Sequence, residues 1–261
     1  MEISAKDNHL IKLYRELQSS RRARSEQGLF AAEGENLCFE AVKNGVGIFA
    51  IFATEGYIRK HGEAYGFISQ KAEKTCIITE KLSGYISDTK TPQGVFAICR
   101  KPERITDVGE LIPKGKLVIL ENLQDPGNMG TIIRTADAFG IDALIISSNC
   151  VDIFSPKVLR ATTGSVFRQQ IFISENLPET VRVLEKSGVT CRCAVVDRDA
   201  QKVGSFAFGE NCAVAIGNEG AGLSEEIKAA ASGKITIKMN GLTESLNAGV
   251  AASVIMWEMS K

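Results

Sequence analysis

The sequence predicts an α/β protein in two units, and three observations carry that prediction. Short apolar runs alternate with stretches of helical period, the pattern of a mostly parallel sheet with helices between its strands. One polar, proline-containing stretch, Lys101-Pro-Glu-Arg-Ile-Thr-Asp-Val-Gly-Glu110, breaks the alternation and marks a domain boundary. Beyond it, three strands run straight into polar loops bearing glycine, and parallel strands would bring those loops to one edge of the sheet.

The elements follow in order. Residues 3–18 place Ile3, Leu10, Ile11, Leu13, Tyr14 and Leu17 at helical spacing, and the basic turn 19–25 ends the helix. Strands are expected at 29–32 and 48–54, helices at 35–43 and 58–65, and short strands at 67–69, 75–78 and 95–99. In the second unit the strands are 117–120, 143–147, 170–173, 191–196, 212–216 and 235–239. Helices at 131–139, 156–163, 178–186, 224–231 and 246–259 lie between and after them. Ser155-Pro156 and Ser224 fit helix starts, and Gly140 and Gly188 fit helix stops. The expected division is a first domain over 1–105, a linker over 106–115 and a second domain over 116–261.

Composition narrows the class. With 261 residues, 44% hydrophobic and 24% charged, the chain can bury real cores. Its formal charge is zero, yet Lys6, Lys12, Arg15, Arg21, Arg22 and Arg24 crowd the start against Glu2, Asp7 and Glu16. Such a patch can contact phosphates, or it is a solvated helix end. Seven cysteines scattered through apolar runs read as reduced core residues of a cytoplasmic protein. With His9 and His61 as its two histidines, the chain offers no metal site. No signal peptide is read, and no apolar run nears the ~20 residues of a membrane span.

The three loops carry the chemistry. They are Asp125-Pro-Gly-Asn-Met-Gly130, Gly217-Asn-Glu-Gly-Ala-Gly-Leu223 and Met239-Asn-Gly-Leu-Thr-Glu-Ser-Leu-Asn-Ala-Gly249. Glycines let a backbone approach a flat ligand closely, but neither the dinucleotide fingerprint nor a phosphate loop occurs. That absence counts against NAD-linked and NTP-linked reactions. Arg134 stands between Ile132-Ile133 and Ala136, where a guanidinium sits at a rim or pairs with Asp125 or Asp137. Joined with Asn128 it is a candidate oxyanion grip, and Glu219 is the natural counter-charge. Small residues over 247–253 allow close packing, while Asn247 is unexplained by packing alone.

Taken in order, Asn128-x-Gly130-x3-Arg134-Thr-Ala136, Gly217-Asn-Glu219-Gly-x-Gly222-Leu and Ile237-x-Met239-x6-Leu-Asn247 closely resemble the SpoU (TrmH-like) branch of the SPOUT superfamily. These are RNA ribose 2′-O-methyltransferases that use S-adenosyl-L-methionine, and the match spans about residues 116–259. Phe30-x-x-Glu33-Gly34 and Thr91-Pro-Gln-Gly-Val-Phe-Ala97 resemble the family's substrate-binding domain, a ribosomal-protein-L30e-like α/β fold.

The resemblance implies a deep trefoil knot in the second domain and a homodimer through it. It implies donor contacts from Gly217, Ile237 and Leu246, with Glu219, Met239, Ser245 and Asn247 nearby and Thr163 and Gly164 also lining the pocket. The catalytic group it implies is Asn128, Arg134, Glu219, Ser245 and Asn247. One departure is Lys238, where many relatives carry proline. Ribosomal RNA is the implied substrate; transfer RNA, or RNA binding by a vestigial methyltransferase fold, is the alternative.

Overall fold

Helix starts are written into the chain as short polar residues placed ahead of apolar turns. Asn8, Ser20, Thr54 and Thr79 each cap a helix by accepting a backbone N–H with the side chain, as do Asp125, Asn176, Ser224 and Asn247. The computed structural model describes residues 1–102, 105–107 (backbone alone), 114–197, 199–241, 243 and 245–261. Most of the expected linker 106–115 therefore lies outside the described residues.

The first part of the chain runs β1 (Glu2–Ile3), α1 (His9–Ser19), α2 (Arg21–Gln27), β2 (Leu29–Glu33), α3 (Glu35–Lys43) and β3 (Ile48–Thr54). It continues with α4 (Glu55–Lys60), α5 (Gly62–Ser69), β4 (Thr75–Ile78), α6 (Glu80–Ile86) and β5 (Val95–Arg100). Its sheet has the order β1-β4-β3-β5-β2, with β5 antiparallel to both neighbours. Tyr14 anchors the core under it. Its ring meets Phe52 and Phe96 edge-on at 5.8 and 5.7 Å, and its hydroxyl donates to the Ala32 carbonyl at 3.1 Å, so the buried polar atom is satisfied.

Several local expectations change here. Ile3 pairs in β1 instead of opening the helix, and Arg21 to Gln27 are helical beyond a break at Ser20. The apolar run 67–69 ends helix α5, because it is too short for its period to separate strand from helix. His61 splits the helix expected over 58–65 into α4 and α5.

The second part contains β6 (Ile105–Asp107), β7 (Lys116–Leu120), α7 (Pro126–Ala138), β8 (Ala143–Ser147), α8 (Pro156–Thr162) and β9 (Ile171–Ser174). Then come α9 (Leu177–Lys186), β10 (Thr190–Ala194), β11 (Gln201–Lys202), β12 (Cys212–Ile216), α10 (Glu225–Ala230), β13 (Gly233–Thr236) and α11 (Ala248–Ser260). The sheet order is β11-β13-β10-β12-β7-β8-β9-β6, and every pair in it is parallel. Alternation along the strands sends Leu117, Ile119, Ala213 and Ala215 into the core shared with Val181, Leu184 and Ile227 of α9 and α10. Helices α7 and α11 pack on each other, joined by Thr135 and Ser253 hydroxyls 3.2 Å apart.

The chain divides into two compact units, and residues 152–168, with α8, belong to the first, in contrast to the division expected from sequence. The reason is aromatic. Phe154 and Phe167 stack on Phe30 of β2 at 4.8 and 5.8 Å, and the nearly buried Arg24 pairs with Asp152 at 2.6 Å. All seven cysteines are buried thiols, and burial pushes those of Cys38 and Cys193 up to about 12 and about 11. They stay protonated and inert.

Candidate active site

The loop after β12 is fixed by its own polar residues. A side chain at Gly217 would put its Cβ 2.2 Å from the Gly222 carbonyl carbon and 2.4 Å from the Leu223 nitrogen, so glycine alone fits. Asn218 Oδ1 accepts from the N–H groups of Gly220 and Ala221 at 2.9 and 3.1 Å, while its Nδ2 donates to the Asn122 carbonyl at 2.8 Å. Buried Glu121 then accepts from the Ser224 N–H at 2.7 Å, which sets the start of α10.

Glu219 ties this loop to the one after β7. Asp125 caps α7 by accepting from the Asn128 N–H at 2.7 Å, and Pro126 opens the helix, so the helix begins five residues earlier than expected, and Asn128 is helical and buried. The Glu219 carboxylate accepts from Asn128 Nδ2 at 3.0 Å and from the N–H groups of Asp125 and Gln124 at 3.1 and 3.3 Å. Partial burial pushes its pKa up, but these hydrogen bonds outweigh burial and hold it below the usual carboxylate range. An ionised, fully engaged carboxylate is a clamp and a poor proton acceptor.

The third loop enters through Asn247. Its side chain caps α11 by accepting from the Val250 N–H at 3.2 Å. Gly249 follows against Asn128: an added Cβ would lie 3.2 Å from both Asn128 Oδ1 and Asn247 Oδ1. Small residues in this stretch are therefore what lets α11 close on α7.

The second and third loops border a cavity of about 570 Å³, within the range of small-molecule sites. Gly217, Glu219, Ile237, Met239, Ser245, Leu246 and Asn247 all line it. Asn128 reaches it only through its bond to Glu219, and neither Asn128 nor Arg134 is part of the lining. Arg134 is exposed on the outer face of α7, because Met129, Ile132, Ile133 and Ala136 take the buried face. Ile237 and Met239 stand beyond β13, which ends at Thr236. Lys238 between them is exposed and outside the lining.

Thr163 and Gly164 do not line the cavity. They end α8 in the first unit, both in left-handed conformation, and a Cβ on Gly164 would come within 2.7 Å of the Glu40 Cβ. Their left-handed backbone serves that turn.

The lining also contains residues the sequence reading passed over: Asn218, Lys228 and Ala194 to Val196. Asn218 had a legible signal, an asparagine opening a glycine turn after a strand; the others are placed only by the fold. Among the described residues no group of three His, Cys, Asp or Glu could hold a metal, and no helix is long and apolar enough to cross a membrane.

A parallel sheet with a glycine-loop cavity at its strand ends is the setting of a small-ligand site in open α/β proteins. Comparison with known proteins narrows the class. Residues 115–257 match the SpoU rRNA Methylase family, and residues 8–97 match the MRM3-like substrate binding domain. The chain belongs to the SpoU rRNA methylase family.

Among its relatives is the 23S rRNA (guanosine(2553)-2′-O)-methyltransferase RlmP of Bacillus subtilis, 29% identical over 99% of this chain and 98% of that protein. The AdoMet-bound rRNA methyltransferase from Sinorhizobium meliloti superposes with a TM-score of 0.86 at 27% identity, over 99% of this chain and 97% of that one. The SpoU methyltransferase AviRb from Streptomyces viridochromogenes, in complex with AdoMet, gives 0.83 at 25% identity over 97% of each chain.

Proposed function

We propose that this protein transfers a methyl group from S-adenosyl-L-methionine to a ribose 2′-hydroxyl of ribosomal RNA. The observation that carries the reading is the cavity at the parallel strand ends, bordered by Gly217, Ile237 and Leu246 and tied through Glu219 to Asn128. Its apolar lining from Ile237, Leu246 and Leu223 and its bare glycine backbone fit a purine-bearing donor of this size. The donor supplies an electrophilic methyl group on a sulfonium. The first unit, which holds the region matching a substrate binding domain, recognises the RNA.

The chain's own residues align the acceptor and handle its charge. In-line displacement needs the ribose oxygen held near attack, and positioning of that kind supplies ~7–11 kcal/mol. Glu219 fixes the first turn of α7 through Asn128, Asp125 and Gln124, so Asn128 presents a set geometry. Arg134 carries the acceptor side. As a guanidinium of pKa ~12 or more it is a stronger clamp for a phosphate or a developing alkoxide than a base. Ser245 and Asn247 hold the donor's rim, and the segment that carries them is the one threaded in the family's trefoil knot.

The protein works as a homodimer in the cytoplasm. Val250, Val254 and Trp257 recur at four- and three-residue steps of α11 and stay 49%, 36% and 51% exposed, an apolar stripe that a second copy would cover. Arg134 sits on α7, against which α11 packs, and does not line the cavity of its own chain. That placement supports a seam where the arginine meets the acceptor. Light scattering should give a dimer, and Val254→Asp with Trp257→Ala should give a folded monomer with little turnover.

The direct test is calorimetry and methyl transfer together. S-adenosyl-L-methionine should bind and NAD should not, and tritium from the methyl group should enter ribosomal RNA. No binding of the donor would overturn the reading; label entering only transfer RNA would favour that substrate instead.

A further inference from the structure

The first unit holds a cavity of about 390 Å³ that the methyl-transfer site does not use. One wall is a stacked pair: the Tyr57 and His61 rings lie 5.0 Å apart and 8° from parallel, with His61 outermost and its side chain 47% exposed. The pair is held from behind. Glu35 Oε2 accepts from the Tyr57 hydroxyl at 3.0 Å and lies 2.8 Å from His61 Nδ1. That leaves Oε1 of Glu35 and Nε2 of His61 for a ligand.

Gln93 also lines the cavity, and its Oε1 accepts from the Glu35 N–H at 2.8 Å, leaving its amide NH2 for a ligand. Glu80 adds a second carboxylate and Lys60 a cation at the edge of the cavity. The walls therefore combine a flat exposed ring, carboxylate acceptors and an amide. Two carboxylates repel a phosphate, which excludes an anion from the interior, but they accept well from the amino and imino N–H groups of a base edge.

We infer that this cavity takes one unstacked nucleobase of the substrate RNA, stacked on His61 with its N–H edge on Glu35, and with Lys60 beside the adjoining phosphate. Guanine, with N1–H and N2–H side by side, suits a carboxylate best, whereas uracil offers it a single donor. Reading a splayed base by stacking and edge hydrogen bonds is how single-stranded RNA is generally recognised. The inference rests on the RNA substrate proposed above.

The test uses the full chain and two fluorescein-labelled RNA hexamers, UUGUUU and UUUUUU, followed by fluorescence anisotropy. The guanosine hexamer should bind at least fivefold tighter. Glu35→Gln and His61→Ala should each erase that preference while S-adenosyl-L-methionine affinity, read by calorimetry, stays unchanged. Equal affinity for the two hexamers would overturn the inference, as would a preference that survives both substitutions. Competition by spermidine stronger than by guanosine monophosphate would also overturn it, assigning the cavity to a cation. Failure of donor binding in the same preparation would count against the proposed function, whereas normal donor binding with no base preference would sink this inference alone.

Discussion

The loop after β12 and the segment leading into α11 border the same cavity, and they are built in opposite ways. In the loop, Asn218 and Glu219 spend side-chain oxygens on backbone N–H groups, Ser224 at its end is held by Glu121 from beyond β7, and Gly217 has no room for a methyl. In the segment, Ser245, Leu246 and Asn247 are exposed, and Asn247 reaches only into its own helix. Shape is thus fixed by one wall and chemistry is offered by the other. Substitutions in the loop should cost fold and binding together, and those around the exposed wall should cost turnover or binding with the fold intact.

Gly217→Ala should have the largest effect. Its Cβ would overlap backbone, so donor affinity should fall at least a hundredfold and stability by about 1–3 kcal/mol, read by calorimetry and denaturant melts. Arg134→Ala should leave the melting curve unchanged, since the residue is exposed, yet lower methyl transfer by roughly 10²–10⁴-fold. Arg134→Lys sharpens its role: activity that climbs with pH marks a base, and a flat profile marks a clamp.

Asn247→Ala removes a helix cap, so about 1 kcal/mol of stability should go, with a loss of roughly tenfold in donor affinity. Glu219→Gln should cost less stability than Gly217→Ala or Asn247→Ala. The folded pKa of Glu219 is depressed, so its contribution is present above the ordinary carboxylate value of ~4.3 and is lost as pH falls through the folded value. Melting temperatures of wild type and Glu219→Gln should therefore differ at pH 7 and converge in acid.

Much of this was legible in the chain, and the exceptions have physical causes. Strand runs such as 212–216 and 143–146 are apolar throughout because both faces of the parallel sheet are covered, so they stand out. The meeting of the loops after β7 and β12 was expected at one sheet edge, but Glu219, read as a counter-charge to Arg134, binds Asn128. The early start of α7 was also written in Asp125-Pro126, a cap followed by a first-turn proline, and was passed over for the apolar period that begins later.

Other features depend on packing that no local pattern encodes. Residues 156–162 form the helix expected there, but contacts distant in sequence, the stacking of Phe154 and Phe167 on Phe30 and the Arg24–Asp152 pair, assign the segment to the first unit. The apolar neighbours of Arg134 leave a rim position and an ion pair both open, and only the helical period, which turns those neighbours inward and the guanidinium outward, decides between them.

This fold, we propose, methylates a ribose of ribosomal RNA. Mapping 2′-O-methyl groups across the ribosomal RNA of cells lacking the protein tests it most directly. One ribose should lose its methyl group, and the wild-type chain but not Arg134→Ala should restore it. An unchanged ribosomal map, or a loss confined to transfer RNA, would contradict the account.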